Sequence, residues 1–257
     1  MTSPSGRVRQ STDSDGVSVI ELCDAEGRNS LSEAMVHELT RALESVGTDT
    51  RAKVCILRGL DDVFCSGGHK DMLLELARGQ IAASDIMLTR AVIEVPIPTI
   101  AAMQGHAVGG GLVLGLACDM VLMGKESRYG CSFMNMGFTP GMGTTRLIAA
   151  ALGEHRAAEM MFGGQFFRGS HFAAGTGVNY VLPRAEVWPK AMSVARRIAE
   201  KPRNALLILK RSLSLGKRLA FEEARTVETL MHEICFARPE TAKLIEENFA
   251  EAARNDK

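Results

Sequence analysis

The stretch Ile97–Gly111 reads I-P-T-I-A-A-M-Q-G-H-A-V-G-G-G. Its part Ile100–Met103 is a short apolar run, which is typical of a buried strand. The triple glycine Gly109–Gly111 then precedes a second apolar run, Leu112–Ala117, whose length and small residues favour a helix. Glycine permits positive φ angles and lets the backbone approach a ligand closely. The stretch therefore predicts a buried strand that leads through a glycine loop into a buried helix.

A second glycine cluster, Ser66-Gly67-Gly68, follows another predicted buried strand at residues 53–58 and its loop. The first turn of a helix has main-chain N–H groups without intrahelical acceptors. Two N–H groups from two loops that converge on one oxygen atom form an oxyanion hole. Alternatively, both clusters are only turns and tight packing contacts, so the residues alone leave both interpretations open.

The two halves of the chain have different patterns. Residues 1–15 are rich in Ser, Thr, Asp and Arg, which predicts a disordered start. Strand and helix signals alternate up to about residue 144, and helical patterns dominate beyond it. We therefore expect an α/β core over residues 16–200 and a helical region of the same unit over residues 201–257. The predicted helices of the second half cover residues 144–152, 155–162, 185–199, 204–215, 221–236 and 240–253.

The composition excludes several classes of function. Thirty basic residues balance thirty acidic ones, so the chain lacks the positive charge of a nucleic-acid binder. The longest apolar stretch, Ala107–Cys118, is shorter than the roughly 20 residues that span a bilayer, so no membrane partner is expected. The six cysteines lack C-x-x-C and zinc-ligand spacing. They indicate reduced thiols, no metal site and a cytoplasmic location.

Three segments together resemble the crotonase (enoyl-CoA hydratase/isomerase) superfamily, namely residues 64–68, 97–111 and 137–143. The resemblance implies an α/β crotonase fold, which is a spiral of ββα units with a C-terminal helical trimerisation region. It also implies a homotrimer or a dimer of trimers and no cofactor. The family binds a thioester carbonyl in an oxyanion hole, and the matching amide donors are Gly68 and Gly110.

The positions of the family's catalytic glutamates differ in this chain. Hydratases of the family carry one glutamate at the position of Val113 and a second at the position of Phe133. Hydration needs one carboxylate to activate water and another to protonate carbon, and neither residue can do so. We expect both side chains to line an apolar substrate pocket instead.

Segments 133–143, 200–204 and 231–233 resemble a narrower group, the decarboxylating crotonase homologues of polyketide β-branching pathways. The resemblance implies a lyase that removes CO2 from a 3-methylglutaconyl group and leaves a 3-methylcrotonyl-type thioester. An acyl carrier protein would carry the substrate on its phosphopantetheine arm, although a coenzyme A thioester remains an alternative. Decarboxylation needs no base to remove a C–H proton, which agrees with the missing glutamates.

Two side chains are candidates for the remaining chemistry. His232 matches the functional histidine of the decarboxylating group, and an imidazole can protonate a dienolate carbon near neutral pH. Its alternative is a helix-surface or capping histidine. Lys70 follows Gly68 by two residues and could hold the substrate carboxylate or contact the pantetheine phosphate. Its alternative is a solvated lysine at a helix N-terminus.

The other candidates are substrate and carrier contacts. His69 either lines the pocket entrance or caps the following helix. Apolar residues at helical spacing line the acyl pocket or belong to the core; these are Met72, Leu76 and Met136. Three basic residues fall where family members place cations near coenzyme A, and they either face an acidic carrier or are solvated; these are Arg28, Lys210 and Arg211.

Two other functions remain open at this point. One is an enoyl-CoA hydratase or isomerase with non-standard acid and base residues. The other is a crotonase-fold protein that binds a carrier or another partner without catalysis. Both are compatible with intact glycine loops and with Val113 and Phe133 in place of glutamates.

Overall fold

The computed structural model describes residues 6–81 and 87–255 of the 257-residue chain. The strands are β1 (Val8–Thr12), β2 (Val17–Leu22), β3 (Val54–Arg58), β4 (Val63–Cys65), β5 (Thr99–Met103), β6 (His106–Val108), β7 (Met120–Gly124), β8 (Arg128–Gly130), β9 (Phe166–Arg168) and β10 (Tyr180–Leu182). The helices are α1 (Glu33–Thr48), α2 (Lys70–Ala77), α3 (Leu88–Glu94), α4 (Gly110–Ala117), α5 (Thr144–Leu152), α6 (Glu154–Gly163), α7 (Arg184–Ala199), α8 (Arg203–Leu213), α9 (Leu215–Phe236) and α10 (Pro239–Asn255). Short 3-10 turns lie at Phe133–Met136 and Gly169–Phe172.

The strands form two sheets. The large sheet has the order β1-β2-β3-β5-β7-β10, and the small sheet has the order β4-β6-β8-β9. Neighbouring strands are parallel except for the pairs β1–β2 and β8–β9. The pairs β3–β4, β5–β6 and β7–β8 each contribute one strand to each sheet, so the chain winds as a spiral. This arrangement is the predicted crotonase fold.

Both faces of the large sheet are covered, which explains the continuous apolar runs of its strands. Ile56 and Ile100 pack on one face against α7, and Leu57 and Ala101 belong to the main core on the other face. Helix α4 is buried along its whole length, as its apolar sequence predicts. The main core therefore lies between the two sheets and fixes the loops that leave them.

The prediction of a disordered start is wrong for Val8–Thr12, which form strand β1. This strand pairs antiparallel with β2 and adds an ion pair between Arg9 and Glu21, with 3.8 Å between the charged atoms. A polar segment can form an edge strand because the ladder uses main-chain groups and one side faces water. Residues 1–5 lie outside the described residues.

The second half is mostly helical, as predicted, with the short strands β9 and β10 between α6 and α7. Helices α8 and α9 expose large apolar side chains, including Ile208, Leu213, Leu219 and Ile234. Exposed apolar patches of this kind mark interaction surfaces, and the trimer remains a prediction. None of the described helices is long and apolar enough to cross a membrane.

The small sheet brings the two glycine loops together. Strands β4, β6 and β8 are parallel, so their carboxyl ends meet at one edge of the sheet. Ser66-Gly67-Gly68 follows β4, Gly109 and Gly110 follow β6, and the 3-10 turn Phe133–Met136 follows β8. The sequence segments that carry the family resemblance therefore converge at this edge.

Candidate active site

A pocket of about 740 Å³ opens at this edge of the small sheet. The loops after β4, β6 and β8 line one side, α2 and α10 line another, and α9 contributes His232. Most of the predicted site residues lie on its wall: Gly68, Gly110, His232, Lys70, His69, Met72, Leu76, Phe133, Met136 and Arg28. Their chemical roles remain predictions, but they share one cavity.

The two candidate amide donors come from loops in direct contact. Gly67 has a φ of 89°, and an ideal Cβ placed on it would lie 2.6 Å from the Val108 carbonyl oxygen and 3.8 Å from the Gly110 nitrogen. Only glycine fits such a position. The Leu31 N–H donates to the Gly67 carbonyl at 2.7 Å, which holds the loop in place.

Both amides are available to a ligand. Gly110 is the first residue of α4, so its N–H has no intrahelical acceptor. The Gly68 N–H makes no hydrogen bond within residues 6–81 and 87–255. Gly68 and Gly110 both line the pocket. The loops therefore present two unpaired main-chain donors to one cavity, next to the positive end of a helix dipole.

His232 lies on α9, and its side chain faces the loop between the 3-10 turn and α5. Its Nε2 lies 2.7 Å from the Thr139 carbonyl oxygen, and the residue is only 8% exposed. Gly141 packs against the imidazole so closely that any Cβ there would collide with the ring. The rings of Phe138 and Phe236 complete its apolar surroundings. The sequence interpretation of a surface histidine is thereby excluded.

The hydrogen bond to Thr139 determines which nitrogen is available to a substrate. A carbonyl only accepts, so Nε2 donates and Nδ1 of the neutral ring keeps its lone pair. Nδ1 is buried and has no hydrogen-bond partner in the described structure. Burial lowers the pKa of His232 below its ordinary value of 6.5, and the Thr139 carbonyl and Glu228 oppose this shift. The fold thus favours a neutral imidazole whose Nδ1 makes no hydrogen bond in the described structure.

Sequence reasoning missed Glu228, which lies one helical turn before His232 on α9. Its buried carboxylate accepts from the Gly143 N–H at 2.7 Å, and from the N–H and hydroxyl of Thr145 at 2.8 and 2.7 Å. These contacts fix the amino end of α5, where a carboxylate is favourable. Glu228 does not line the pocket, so it supports the loop that holds His232 instead of meeting a substrate.

The amino end of α2 places two basic side chains on the pocket. His69 lines the cavity and also caps α2, since its Nδ1 accepts from the Asp71 N–H at 3.3 Å. Lys70 is half-buried, and its ammonium group has no ion-pair partner among the described residues. A free cation on the pocket wall can bind an anionic group of a ligand.

Val113 does not line the pocket, which corrects the sequence prediction. It is 0% exposed and belongs to the main core one turn beyond Gly110. Because α4 is apolar on every side, its sequence cannot tell which face meets the cavity. Phe133, Met136, Met72 and Leu76 do line the wall. The pocket wall near the amide donors is therefore apolar. Of the two positions where hydratases of the family carry glutamates, only that of Phe133 lies on this wall.

The prediction that Lys210 faces a carrier is wrong. Its side chain is 4% exposed, and its Nζ donates to both carboxylate oxygens of Asp119 at 2.8 and 2.7 Å. Lys217 has a related structural role, because its Nζ donates to the carbonyls of residues 116, 117 and 118 at the end of α4. Arg211 is exposed but does not line the pocket, whereas Arg28 does.

The acidic groups of the pocket lie away from its buried wall. Glu26 and Glu251 line the cavity, and both side chains are exposed. In the described part of the chain, no group of three or more His, Cys, Asp and Glu side chains could hold a metal ion. The pocket thus combines two main-chain amides, the imidazoles of His232 and His69, the ammonium group of Lys70 and the guanidinium group of Arg28 with a largely apolar wall.

Comparisons with known proteins agree with this geometry. Residues 12–254 match the model of the enoyl-CoA hydratase/isomerase family. The bacillaene synthase decarboxylase PksI of Bacillus subtilis is 37% identical over 227 residues, which cover 88% of this chain and 91% of that protein.

Two solved structures give the same picture. One belongs to a dehydratase/decarboxylase enzyme couple involved in polyketide β-branching, with a TM-score of 0.90, 36% identity, and coverage of 94% of this chain and 98% of that one. The ECH2 decarboxylase domain of CurF from Lyngbya majuscula has a TM-score of 0.86, 35% identity, and coverage of 95% and 99%. The chain belongs to the enoyl-CoA hydratase/isomerase family of the crotonase superfamily, and it is homologous to the decarboxylase PksI and to the ECH2 decarboxylase domain of CurF.

Proposed function

We propose that the protein decarboxylates a 3-methylglutaconyl-type thioester on an acyl carrier protein and releases a 3-methylcrotonyl-type thioester. One observation carries this proposal. The main-chain amides of Gly68 and Gly110, which have no hydrogen-bond acceptor in the described structure, lie in the same pocket as an apolar wall. This wall has no carboxylate at the positions where hydratases of the family carry glutamates. The similarity to PksI and to CurF supports the same reaction class.

The amides would act on the charge that develops during the reaction. When the bond to the carboxyl carbon breaks, CO2 leaves and its bonding electrons delocalise through the alkene onto the thioester oxygen. The N–H groups of Gly68 and Gly110 would stabilise that oxygen more strongly in the transition state than in the ground state. Single donors of this type contribute about 3 kcal/mol in other acyl-transfer enzymes.

His232 would supply the proton that ends the reaction. Its Nε2 is held by Thr139, so the proton would come from Nδ1, which is buried and has no hydrogen-bond partner in the described structure. Binding of an anionic substrate beside Nδ1 favours the imidazolium, because an opposite charge stabilises the protonated ring. That proton then moves to a carbon of the dienolate, and the ring returns to its neutral form.

Lys70 would hold the substrate carboxylate before the bond breaks. Its ammonium group lies on the pocket wall without a carboxylate partner of its own in the described structure. An apolar surround then favours departure of neutral CO2 over retention of a charged carboxylate. Lys70 would thus bind the substrate carboxylate, while the apolar side chains of the same wall would favour the release of CO2.

The test is an incubation with a 3-methylglutaconyl carrier protein, followed by mass spectrometry of the acyl arm. We expect the arm to lose the mass of one CO2. An arm that gains or loses water instead assigns the hydratase function, and an arm of unchanged mass whose double bond has moved, seen by its absorbance, assigns the isomerase function. A carrier that binds tightly while every offered thioester stays unchanged assigns a non-catalytic binding function, and either result overturns the proposal.

A further inference from the structure

The small sheet has one face in the core and the other toward solvent. The inward side chains are those of Ala107, Tyr129 and Phe167. Side chains alternate along a strand, so the residues before and after each of these point outward. Val108 and Phe166 on that outward face line the pocket. The outward face is therefore continuous with the substrate cavity.

Two arginines occupy this outward face beyond the pocket. Arg128 of β8 and Arg168 of β9 are direct partners in the antiparallel pair, and both side chains are exposed. Neither guanidinium group has a carboxylate partner within the part of the chain that the structure describes. Like charges directly opposite one another destabilise a sheet. An anion from outside the chain would relieve this repulsion.

The positive charge extends to the pocket entrance. Besides burial, the guanidinium groups of Arg184 and Arg28 lower the pKa of His106, which lies on the same outward face. Arg28 also lines the pocket. Acidic groups lie nearby as well: Asp62 raises the pKa of His106, Glu126 accepts from the main-chain N–H of Arg184 at 2.8 Å, and Glu26 lines the same pocket as Arg28.

We call the surface that consists of the exposed residues Arg28, Arg128 and Arg168 the arginine face. We propose that the arginine face docks an acidic surface of the carrier protein that delivers the acyl chain. This inference rests on the proposed function, because it assumes a protein-borne substrate. A carrier that docks there would direct its phosphorylated arm along Arg28 into the pocket. Opposite charges across such a contact accelerate association and fix orientation.

The experiment uses the double variant R128E/R168E and the full chain. We expect the KM for the carrier-borne substrate to rise at least tenfold at low salt, because charge reversal acts mainly on association. The same acyl chain on free pantetheine should be converted with unchanged kcat and KM. The matched control is R196E/R197E, which makes the same charge change at exposed positions of α7 and should leave both substrates unaffected.

A binding measurement separates failure of this inference from failure of the proposed function. The unacylated carrier, with and without its arm, is titrated against wild type and R128E/R168E. Weaker binding of both carrier forms to the variant supports docking even when no thioester is decarboxylated. The proposal is overturned if the wild type binds no carrier or if R128E/R168E binds the carrier as tightly as the wild type does. It is also overturned if the variant weakens binding only of the carrier that has its phosphopantetheine arm. A changed oligomeric mass of the variant would assign the face to a contact between copies instead.

Discussion

The two sides of the pocket are built in different ways. The amide side consists of main-chain groups from Gly68 and Gly110, which two strands of one small sheet bring together. The imidazole side consists of the His232 side chain, and contacts of Thr139 and Glu228 with distant residues hold it in place. The first side depends on local backbone shape, and the second depends on packing between elements far apart in the chain.

This difference explains how the two sides respond to substitution. Any residue at Gly110 keeps its N–H except proline, so most substitutions would change the amide side only through steric effects. On the imidazole side, the functional group is itself the side chain. Its replacement removes the chemistry directly, while replacement of Glu228 acts through the loop 139–145.

The largest effect is expected on the amide side, from Gly110→Pro. Proline fits the first position of a helix but removes the N–H, so kcat should fall about 10²-fold to 10³-fold in the decarboxylation assay. The control Gly110→Ala also adds a Cβ, which displaces only the side-chain ends of Met142 and Leu31, yet it keeps the N–H. Equal losses in both variants would show that crowding matters and not the donor.

His232→Ala should have the next largest effect. Loss of a general acid lowers rates by about 10²-fold or more, so kcat should fall by that amount while the KM changes little. Circular dichroism of the variant checks that α9 is retained, and His37→Ala on the exposed side of α1 is the matched control. Turnover near the wild-type value would mean that water or another group protonates the dienolate.

Lys70→Met should act on binding more than on chemistry. We expect the KM for the carboxylate substrate to rise about tenfold, which corresponds to about 1.4 kcal/mol. Affinity for the decarboxylated product should be unchanged, because the product has no carboxylate to pair with the ammonium group. Lys243→Met on α10, whose partner is Glu247, serves as the control. Weaker binding of the product as well would place Lys70 at the pantetheine phosphate.

Glu228→Gln should reduce stability and slow turnover modestly. The variant loses the charge that accepts three hydrogen bonds from Gly143 and Thr145, so the free energy of unfolding should fall by about 2 kcal/mol. Glu223→Gln, which breaks an exposed ion pair with Arg146, should cost less than about 1 kcal/mol. Urea unfolding of both variants measures the difference, and equal losses would remove the supporting role of Glu228.

The smallest effect is a pH dependence of stability. Burial lowers the pKa of His232 below 6.5, so the folded state binds a proton less readily than the unfolded state. The contribution of the neutral ring is complete above about pH 6.5 and is lost as the pH falls through the lowered pKa. Wild type should therefore lose stability on acidification more steeply than His232→Gln, by up to about 1.4 kcal/mol per pH unit. Parallel unfolding curves for the two proteins would contradict this assignment.

The sequence alone predicted the amide side better than the imidazole side. Gly67 needs a positive φ angle and a close approach to the Val108 carbonyl, and a glycine in a loop is the residue type that indicates such a conformation. The role of Glu228 is not readable, since its acceptors bind donors 83 to 85 residues away and nothing local distinguishes it from other helix glutamates. The burial of Lys210 is unreadable for the same reason, because its partner Asp119 lies 91 residues earlier.

Two further differences have local causes. Helix α4 is apolar on all sides, so the pattern predicted its burial correctly but gave no information on which residue faces the cavity. The expectation that Val113 lines the wall rests on its match to a family glutamate position, and the pattern of α4 could not test it. Strand β1 can have a polar sequence because its hydrogen bonds to β2 use only main-chain groups. The polar composition of Val8–Thr12 therefore predicted disorder although these residues form a strand.

The Lys217 contacts with the end of α4 make the amide side depend on the C-terminal helices. The helix that presents the Gly110 amide at one end is neutralised at its other end by a cation from α9. A recombination event that swapped everything after residue 200 for foreign helices would therefore disturb both walls of the cavity at once. Helix α9 thus serves both sides of the cavity, since it carries His232 and also the cation at the far end of the helix that presents the Gly110 amide.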